Sequence, residues 1–194
     1  FCGVNAEPER YGYPASNVSG ILERGHYRES IAFLKQLIPQ VATVSFLVKD
    51  SPSGKALRNQ ISHESNRFLA QVNAFEMIEK LSDLDNRKTL KQSDAIIIDS
   101  LEGIQGDTGK PLSNKEIIPI LTRRLKKPLV GSNLSHVQLG ALCAVVKTGQ
   151  EQGEAAAEKL LKAMEGIPVY EIMISRNYKG RRVLNVSAMR HHGI

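Results

Sequence analysis

The stretch Asn17–Asp50, NVSGILERGHYRESIAFLKQLIPQVATVSFLVKD, decides the fold. It opens on the turn formers Asn17, Ser19 and Gly20. Ile31, Leu34, Leu37 and Ile38 then recur at i, i+3 and i+7, the period of a helix with one apolar face, and Pro39 stops it. Val41 to Val48 follows as a nearly unbroken apolar run, as in a parallel strand covered on both faces. A helix feeding a buried strand begins a doubly wound α/β sheet. Such sheets hold ligands at the carboxyl ends of their strands.

Downstream, Asp50-Ser51-Pro52 is a helix start, and Leu57, Ile61 and Phe68 fall on one face of the helix it opens. Residues 74–81 form a weaker strand of mixed polarity, suited to an edge, and residues 84–92 a short helix. Asp94-Ala-Ile-Ile-Ile-Asp99 is a β-branched run between polar ends, the clearest strand signal in the chain. After a loop at 103–111 come a helix over 114–126, with Ile117, Ile118, Leu121 and Leu125 as its stripe, and a short strand over 127–131. These alternating elements make a complete α/β lobe of residues 28–131.

Residues 132–139 read as a linker, 141–147 as a strand, 149–165 as an Ala-rich helix closed by Gly166, and 169–175 and 182–186 as two further strands. Strands therefore flank the lobe on both sides. The simplest arrangement is two-lobed, with doubly wound parallel sheets and hinge crossings near 17–27 and 132–139. Residues 1–27 and 132–194 then belong to a partial first lobe. Phe1-Cys2-Gly3-Val4-Asn5 reads as the end of a strand that begins outside the sequence. Ligand is expected where the strand ends of the two lobes converge.

The 194 residues are 41% hydrophobic and 24% charged, enough to bury a sizeable core. No apolar run approaches the ~20 residues of a membrane helix. The net charge of +6 is scattered, and its densest cluster, Arg123-Arg124-Leu125-Lys126-Lys127, sits at a helix end where cations complement the dipole. With 5% aromatics and no Trp, a base-stacking surface is poorly supplied, so nucleic acid is not an expected partner. Cys2 and Cys143 lack a CxxC partner and both fall in expected strands. They read as small buried hydrophobes, with a disulfide as the alternative in an oxidising compartment. The five histidines, His26, His63, His136, His191 and His192, show no metal spacing.

Several motifs together resemble a known family. FCGVN, the crossing NVSGILE, the strand–turn–helix SFLVKDSPSGKA and the segment GALCAVVKTGQEQGEAAAEKLL, with the ending HHGI, are similar to the ABC-transporter substrate-binding-protein-like family of the two-lobed periplasmic binding protein fold. Within it the chain looks most like the variant used as the extracytoplasmic sensor domain of bacterial signalling proteins. That family normally carries another α/β half-lobe before FCGVN. The resemblance implies a non-catalytic binder of a small polar solute, an amino acid or small organic anion, held by hinge closure. It also implies a periplasmic or extracytoplasmic location, and as partners an ABC permease or the signalling domains of a larger membrane protein. No cofactor is expected.

Candidate ligand contacts follow from position. Asn5 and Glu7 come after the first strand, where an amide and a carboxylate could fix a polar ligand, and Asn17 stands at the crossing. Ser51, Ser53 and Gly54 open a helix whose free N–H groups suit a carboxylate, although the same residues form an ordinary N-cap. SPSGKA lacks the GxxxxGK[ST] pattern, so nucleotide is not expected. Asp99 and Ser100 end the Ile-rich strand, and Ser132 and Asn133 end the next. Tyr11 and Tyr13 are a candidate lid or a packing pair. The sequence carries no Ser–His–acid set in motif context, metal cluster or G-x-G-x-x-G, so a binder rather than an enzyme is expected. An α/β enzyme and the effector-binding domain of a cytoplasmic transcription regulator stay open as alternatives on the same architecture.

Overall fold

The computed structural model describes the whole chain apart from Ala6, Pro14 and the side chains of Arg10 and Tyr11. It forms two compact units, one of Phe1–His26 with Lys147–Arg181 and a larger one of Tyr27–Val146 with Arg182–Ile194. In chain order the strands and helices are β1 (Ile21–Leu22), α1 (Tyr27–Leu37), β2 (Thr43–Lys49), α2 (Pro52–Glu64), β3 (Gln71–Ile78) and α3 (Lys88–Gln92). Next come β4 (Ala95–Ile98), β5 (Ile104–Gln105), β6 (Pro111–Leu112), α4 (Asn114–Leu125), β7 (Leu129–Val130) and α5 (Leu134–Gln138). The chain ends with β8 (Cys143–Val146), α6 (Gly149–Met164), β9 (Ser175–Arg176), β10 (Arg181–Leu184) and α7 (Val186–His191).

The larger unit is built on one sheet in the order β3-β2-β4-β7-β8-β10. The pairs β2–β3, β2–β4, β4–β7 and β7–β8 are parallel. Alternation along β2 and β4 sends side chains to both faces. Val44, Phe46, Val48, Ala95 and Ile97 join Tyr27, Ile31 and Leu34 of α1 and Leu57 and Ile61 of α2 in one cluster. Leu47, Ile96 and Ile98 join Leu90 of α3 and Ile117, Ile118 and Leu121 of α4 in the other. Burial on both faces is why β2 and β4 carry unbroken apolar runs, and each filled Ile or Leu site contributes about 1.5–3 kcal/mol. β3 is an edge strand, which accounts for its mixed polarity.

The division of the chain differs from the expected one. Residues 132–146 and 182–194, expected in the partial lobe, lie in the larger unit. β8 extends the sheet through the pairing Val130↔Cys143, and β10 lies beyond it. The stretch 132–139, expected as a linker, contains α5, whose N-cap Asn133 accepts from the His136 N–H at 3.1 Å. The expected strand 169–175 is a 3-10 turn over Val169–Glu171, followed by the two-residue β9.

In the smaller unit, β1 is flanked on both sides. Ile21 N donates to Phe1 O at 3.0 Å and Glu23 N to Val4 O at 2.8 Å, so FCGV lies beside β1 through a single bridge rather than as a full strand. On the other side β9 pairs with β1 in parallel. Gly20 is required at this crossing point, because a Cβ there would sit 2.3 Å from Phe1 O. α6 is tied to these strands by Gln152, which accepts from Gly3 N at 3.0 Å. Cys2 is exposed, Cys143 is buried in β8, and both thiols are free.

Candidate functional site

The sheet order of the larger unit sets its crevice. From β2 the chain moves outward through α2 to β3, then crosses back to β4 on the opposite side of β2. The switch point therefore lies at the carboxyl ends of β2 and β4, where open α/β sheets bind ligands. Lys49, Asp50 and Ser51 leave β2 there, and Asp99 and Ser100 leave β4.

Asp99 is the chemical centre of this edge. Its Oδ2 accepts from the Tyr27 hydroxyl at 2.5 Å and its Oδ1 from Ser100 Oγ at 2.7 Å. Tyr27 is fully embedded at the start of α1. Its phenol pKa is held well above the ordinary value, first by burial and then by the neighbouring Asp99 charge. Tyr27 is thus a neutral donor that fixes one carboxylate oxygen. Ser100 has a left-handed backbone, φ 48°, and its carbonyl accepts from Lys49 N at 3.2 Å, which locks the end of β4 to the end of β2.

Ser51 caps α2, its Oγ accepting from Gly54 N at 3.1 Å. The Gly54 N–H is thereby engaged within the helix. A Cβ at Gly54 would lie 2.4 Å from Lys49 O, so glycine lets the helix start press against β2. Ser53 is exposed in the first turn. Lys49, absent from the sequence expectation, extends its Nζ over Gly103, 2.7 Å from where a Cβ would be.

At the end of β7, Ser132 and Asn133 surround a residue that sequence reasoning passed over. His136 is buried, with Nδ1 accepting from Ser132 N at 3.3 Å and Nε2 3.1 Å from Asn133 Nδ2. Burial pushes its pKa down, opposed in part by the Asp99 charge, so the imidazole is neutral at pH 7. The signal for it was the N-cap spacing Asn133-x-x-His136. The signal for Tyr27 was its place at the first turn of an amphipathic helix, directly after a crossing.

The smaller unit holds the other expected residues. Glu7 pairs with Arg24 at 3.1 Å while its own side chain is 64% exposed. The Asn5 carbonyl accepts from the same guanidinium at 3.0 Å. Asn17 is exposed in the turn closed by Val18 N to Ala15 O at 3.2 Å. Tyr13 stacks on Phe1 with ring centroids 5.1 Å apart, and the Tyr11 side chain lies outside the described residues. A cavity of about 150 Å³ in this unit, lined by Glu151, Lys159, Ser175, Arg176 and Tyr178 among others, contains none of the expected residues. The candidates thus fall into two sets. Ser51, Ser53, Gly54, Asp99, Ser100, Ser132 and Asn133 lie in the larger unit, and Asn5, Glu7 and Asn17 in the smaller. Among the described residues no three metal-ligating side chains gather, and no helix is long and apolar enough to cross a membrane.

A mostly parallel α/β sheet with a hydroxyl- and carboxylate-bearing carboxyl edge, joined to a second unit by three passages of the chain, defines a protein of the periplasmic-binding-protein-like fold. The chain belongs to the ABC transporter substrate binding protein family, whose model matches residues 9–194. Members of this family are typically extracytoplasmic and non-enzymatic. The chain resembles a Streptococcus pneumonia ABC domain solved in complex with L-Trp, at 18% identity and a TM-score of 0.67, over 98% of this chain and 65% of that one. It also resembles a ligand-free, open substrate binding protein with adhesive properties from Clostridium difficile, at 15% identity and TM-score 0.66, over 99% and 65%. A conserved domain protein from Vibrio cholerae shares 16% identity at TM-score 0.62, over 92% and 58%. The chain therefore spans about two thirds or less of the length of these structures. No curated protein matches it closely enough to count.

Proposed function

We propose that the protein captures a small polar solute, an amino acid or small organic anion, at the carboxyl edge of the larger unit's sheet, and that hinge closure of its two units encloses the solute. The observation that carries this reading is the arrangement at the switch point. Asp99 is oriented by two neutral donors, Tyr27 and Ser100, and Ser51 and Ser53 lie at the end of the adjacent strand. An oriented carboxylate flanked by hydroxyls is suited to polar recognition, and nothing in the arrangement requires turnover. An amino acid fits the L-Trp found in the Streptococcus relative, within a family of shared fold. Hinge closure requires contacts that differ between open and closed states. Asn5, Glu7 and Asn17 are the residues proposed to supply the smaller unit's share. Delivery to an ABC permease or to the signalling domains of a larger membrane protein, outside the cytoplasm, completes the proposal.

The test is a melting-point screen of the protein against the L-amino acids and small organic acids. A solute at 100 times its Kd adds about 2.7 kcal/mol to stability, well within detection. The active solute should lose its effect in Asp99→Ala. A screen in which no solute raises the melting point removes the proposal.

A further inference from the structure

The chain passes between the units three times, after His26, after Val146 and after Arg181. On the smaller unit's side, polar side chains, buried at Asn177, His26 and Glu151 and half-buried at Lys147 and Glu23, tie these three segments to one another. Asn177, 5% exposed, accepts from Arg24 N through Oδ1 at 2.6 Å, and its Nδ2 donates to Arg24 O at 3.0 Å. This two-way bond continues the β1–β9 pairing one step beyond the ladder, whose last rung is Asn177 N to Leu22 O at 3.2 Å. His26 adds to the same junction, its Nε2 lying 3.0 Å from both Lys179 O and Asn177 Nδ2.

The segment that begins at Lys147 is joined by Glu151, 4% exposed in the first turn of α6. Its Oε1 accepts from Tyr178 N at 2.7 Å and Lys179 N at 2.8 Å. Lys147 closes the circuit by pairing with Glu23 at 2.7 Å. The segment ending at His26 is thus bonded to the one ending at Arg181 by Asn177, that one to the segment beginning at Lys147 by Glu151, and the last to the first by Lys147. Buried polar groups are costly unless satisfied, so the bonds made by Asn177 and by Glu151 Oε1 hold their segments in place, while the buried Glu151 Oε2 has no hydrogen-bond partner among the described residues.

We propose that Asn177 and Glu151 are positioning residues that weld the smaller unit's ends of the three connecting segments into one block. Bending between the units is thereby confined to the few residues beyond that block. The inference rests on the hinge reading above, since hinges are a few element-terminal residues that absorb backbone change. A set of independent local caps would produce the same bonds but no coupling between them.

Hydrogen exchange on the full chain separates the two cases. Asn177→Ala should speed exchange at Tyr178 and Lys179, whose amides bond Glu151 and not Asn177, by about tenfold or more. Glu151→Ala should do the same at Arg24, with the amides of β2 and β4 unchanged in both variants. Asn177→Asp, which keeps the acceptor for Arg24 N and loses the Nδ2 donor, gives a milder version should the alanine variant fold poorly. Effects confined to each variant's own partner overturn the proposal. A second readout uses spin labels at Lys88→Cys and Glu165→Cys in a Cys2→Ser background. Asn177→Ala should broaden the distance distribution between the units, and an unaltered width overturns the positioning role. A failed melting-point screen alongside intact reciprocal coupling counts against solute capture and leaves the weld standing.

Discussion

The Tyr27 hydroxyl donates to Asp99 Oδ2 at 2.5 Å, joining the first residue of α1 to the residue that follows β4. The Tyr27 ring also meets Phe46 edge-on, with centroids 5.6 Å apart, so the phenol is set from both ends. This bond orients the carboxylate at the switch point, and it has consequences for stability that can be measured without knowing the ligand.

Tyr27→Phe should cost about 1.5–3 kcal/mol in urea unfolding, the range for a hydrogen bond to a charged group, with the lower end favoured because water reaches Asp99. The pH dependence has a definite sign. The phenol pKa is raised in the folded state, first by burial and then by Asp99. The unfolded chain therefore ionises Tyr27 first, near pH 10, and folding stability falls as pH rises from there towards the folded value. Tyr27→Phe removes that contribution, so its stability should decline less between pH 9.5 and 11 than that of the unmodified protein, in paired urea titrations. Equal slopes would mean that Tyr27 ionises as freely folded as unfolded.

The two thiols should separate cleanly. Burial pushes the Cys143 pKa up to about 12, and its side chain is enclosed in β8, whereas Cys2 is exposed. The thiolate is the reactive form, so at pH 8 a maleimide or aromatic disulfide reagent should modify one thiol per native chain, at Cys2. The second should react only in denaturant. Rapid labelling of both would show that β8 opens readily. Mass spectrometry of the labelled peptides identifies the site.

The contrast between these residues shows what was legible in the sequence. The helix–strand pattern around β2, the Ile run of β4, the stripe of α4 and the Ala-rich α6 could all be read, because burial imposes a period or an apolar run. Asp99 and Ser100 could be placed at the site because they end a strand. What could not be read was set by long-range pairing. β8 belongs to the larger unit because Cys143 pairs with Val130 and Val145 N donates to Ser30 Oγ of α1 at 2.9 Å, and no local pattern around residue 140 reports these neighbours. Tyr27 and His136 were missed for a related reason. Each is buried and faces the site from an adjoining helix, and its value lies in a partner 72 or 4 residues away rather than in a motif. The linker assigned to 132–139 hid α5, since five residues are too few to show a helical period.

The close approach at Gly54 supplies the last prediction. A Cβ there would stand 2.4 Å from Lys49 O and 3.1 Å from Val48 Cγ2. The first of these is backbone at the end of a buried strand and cannot swing aside, so Gly54→Ala must push the start of α2 away from β2. Overpacking of this kind costs about 1–3 kcal/mol. Gly153 is the opposite case, a helical glycine in α6 whose Cβ would meet nothing within 4 Å. Gly153→Ala should therefore stabilise by about 0.5–1 kcal/mol through helix propensity alone. Urea unfolding of the two variants should move the midpoint in opposite directions. Gly54→Ala should also weaken any solute detected in the melting-point screen, because the helix start it displaces carries Ser51 and Ser53. A Gly54→Ala variant of unchanged stability would mean that α2 does not seat against β2 as described, and the crevice at the switch point would have a different wall.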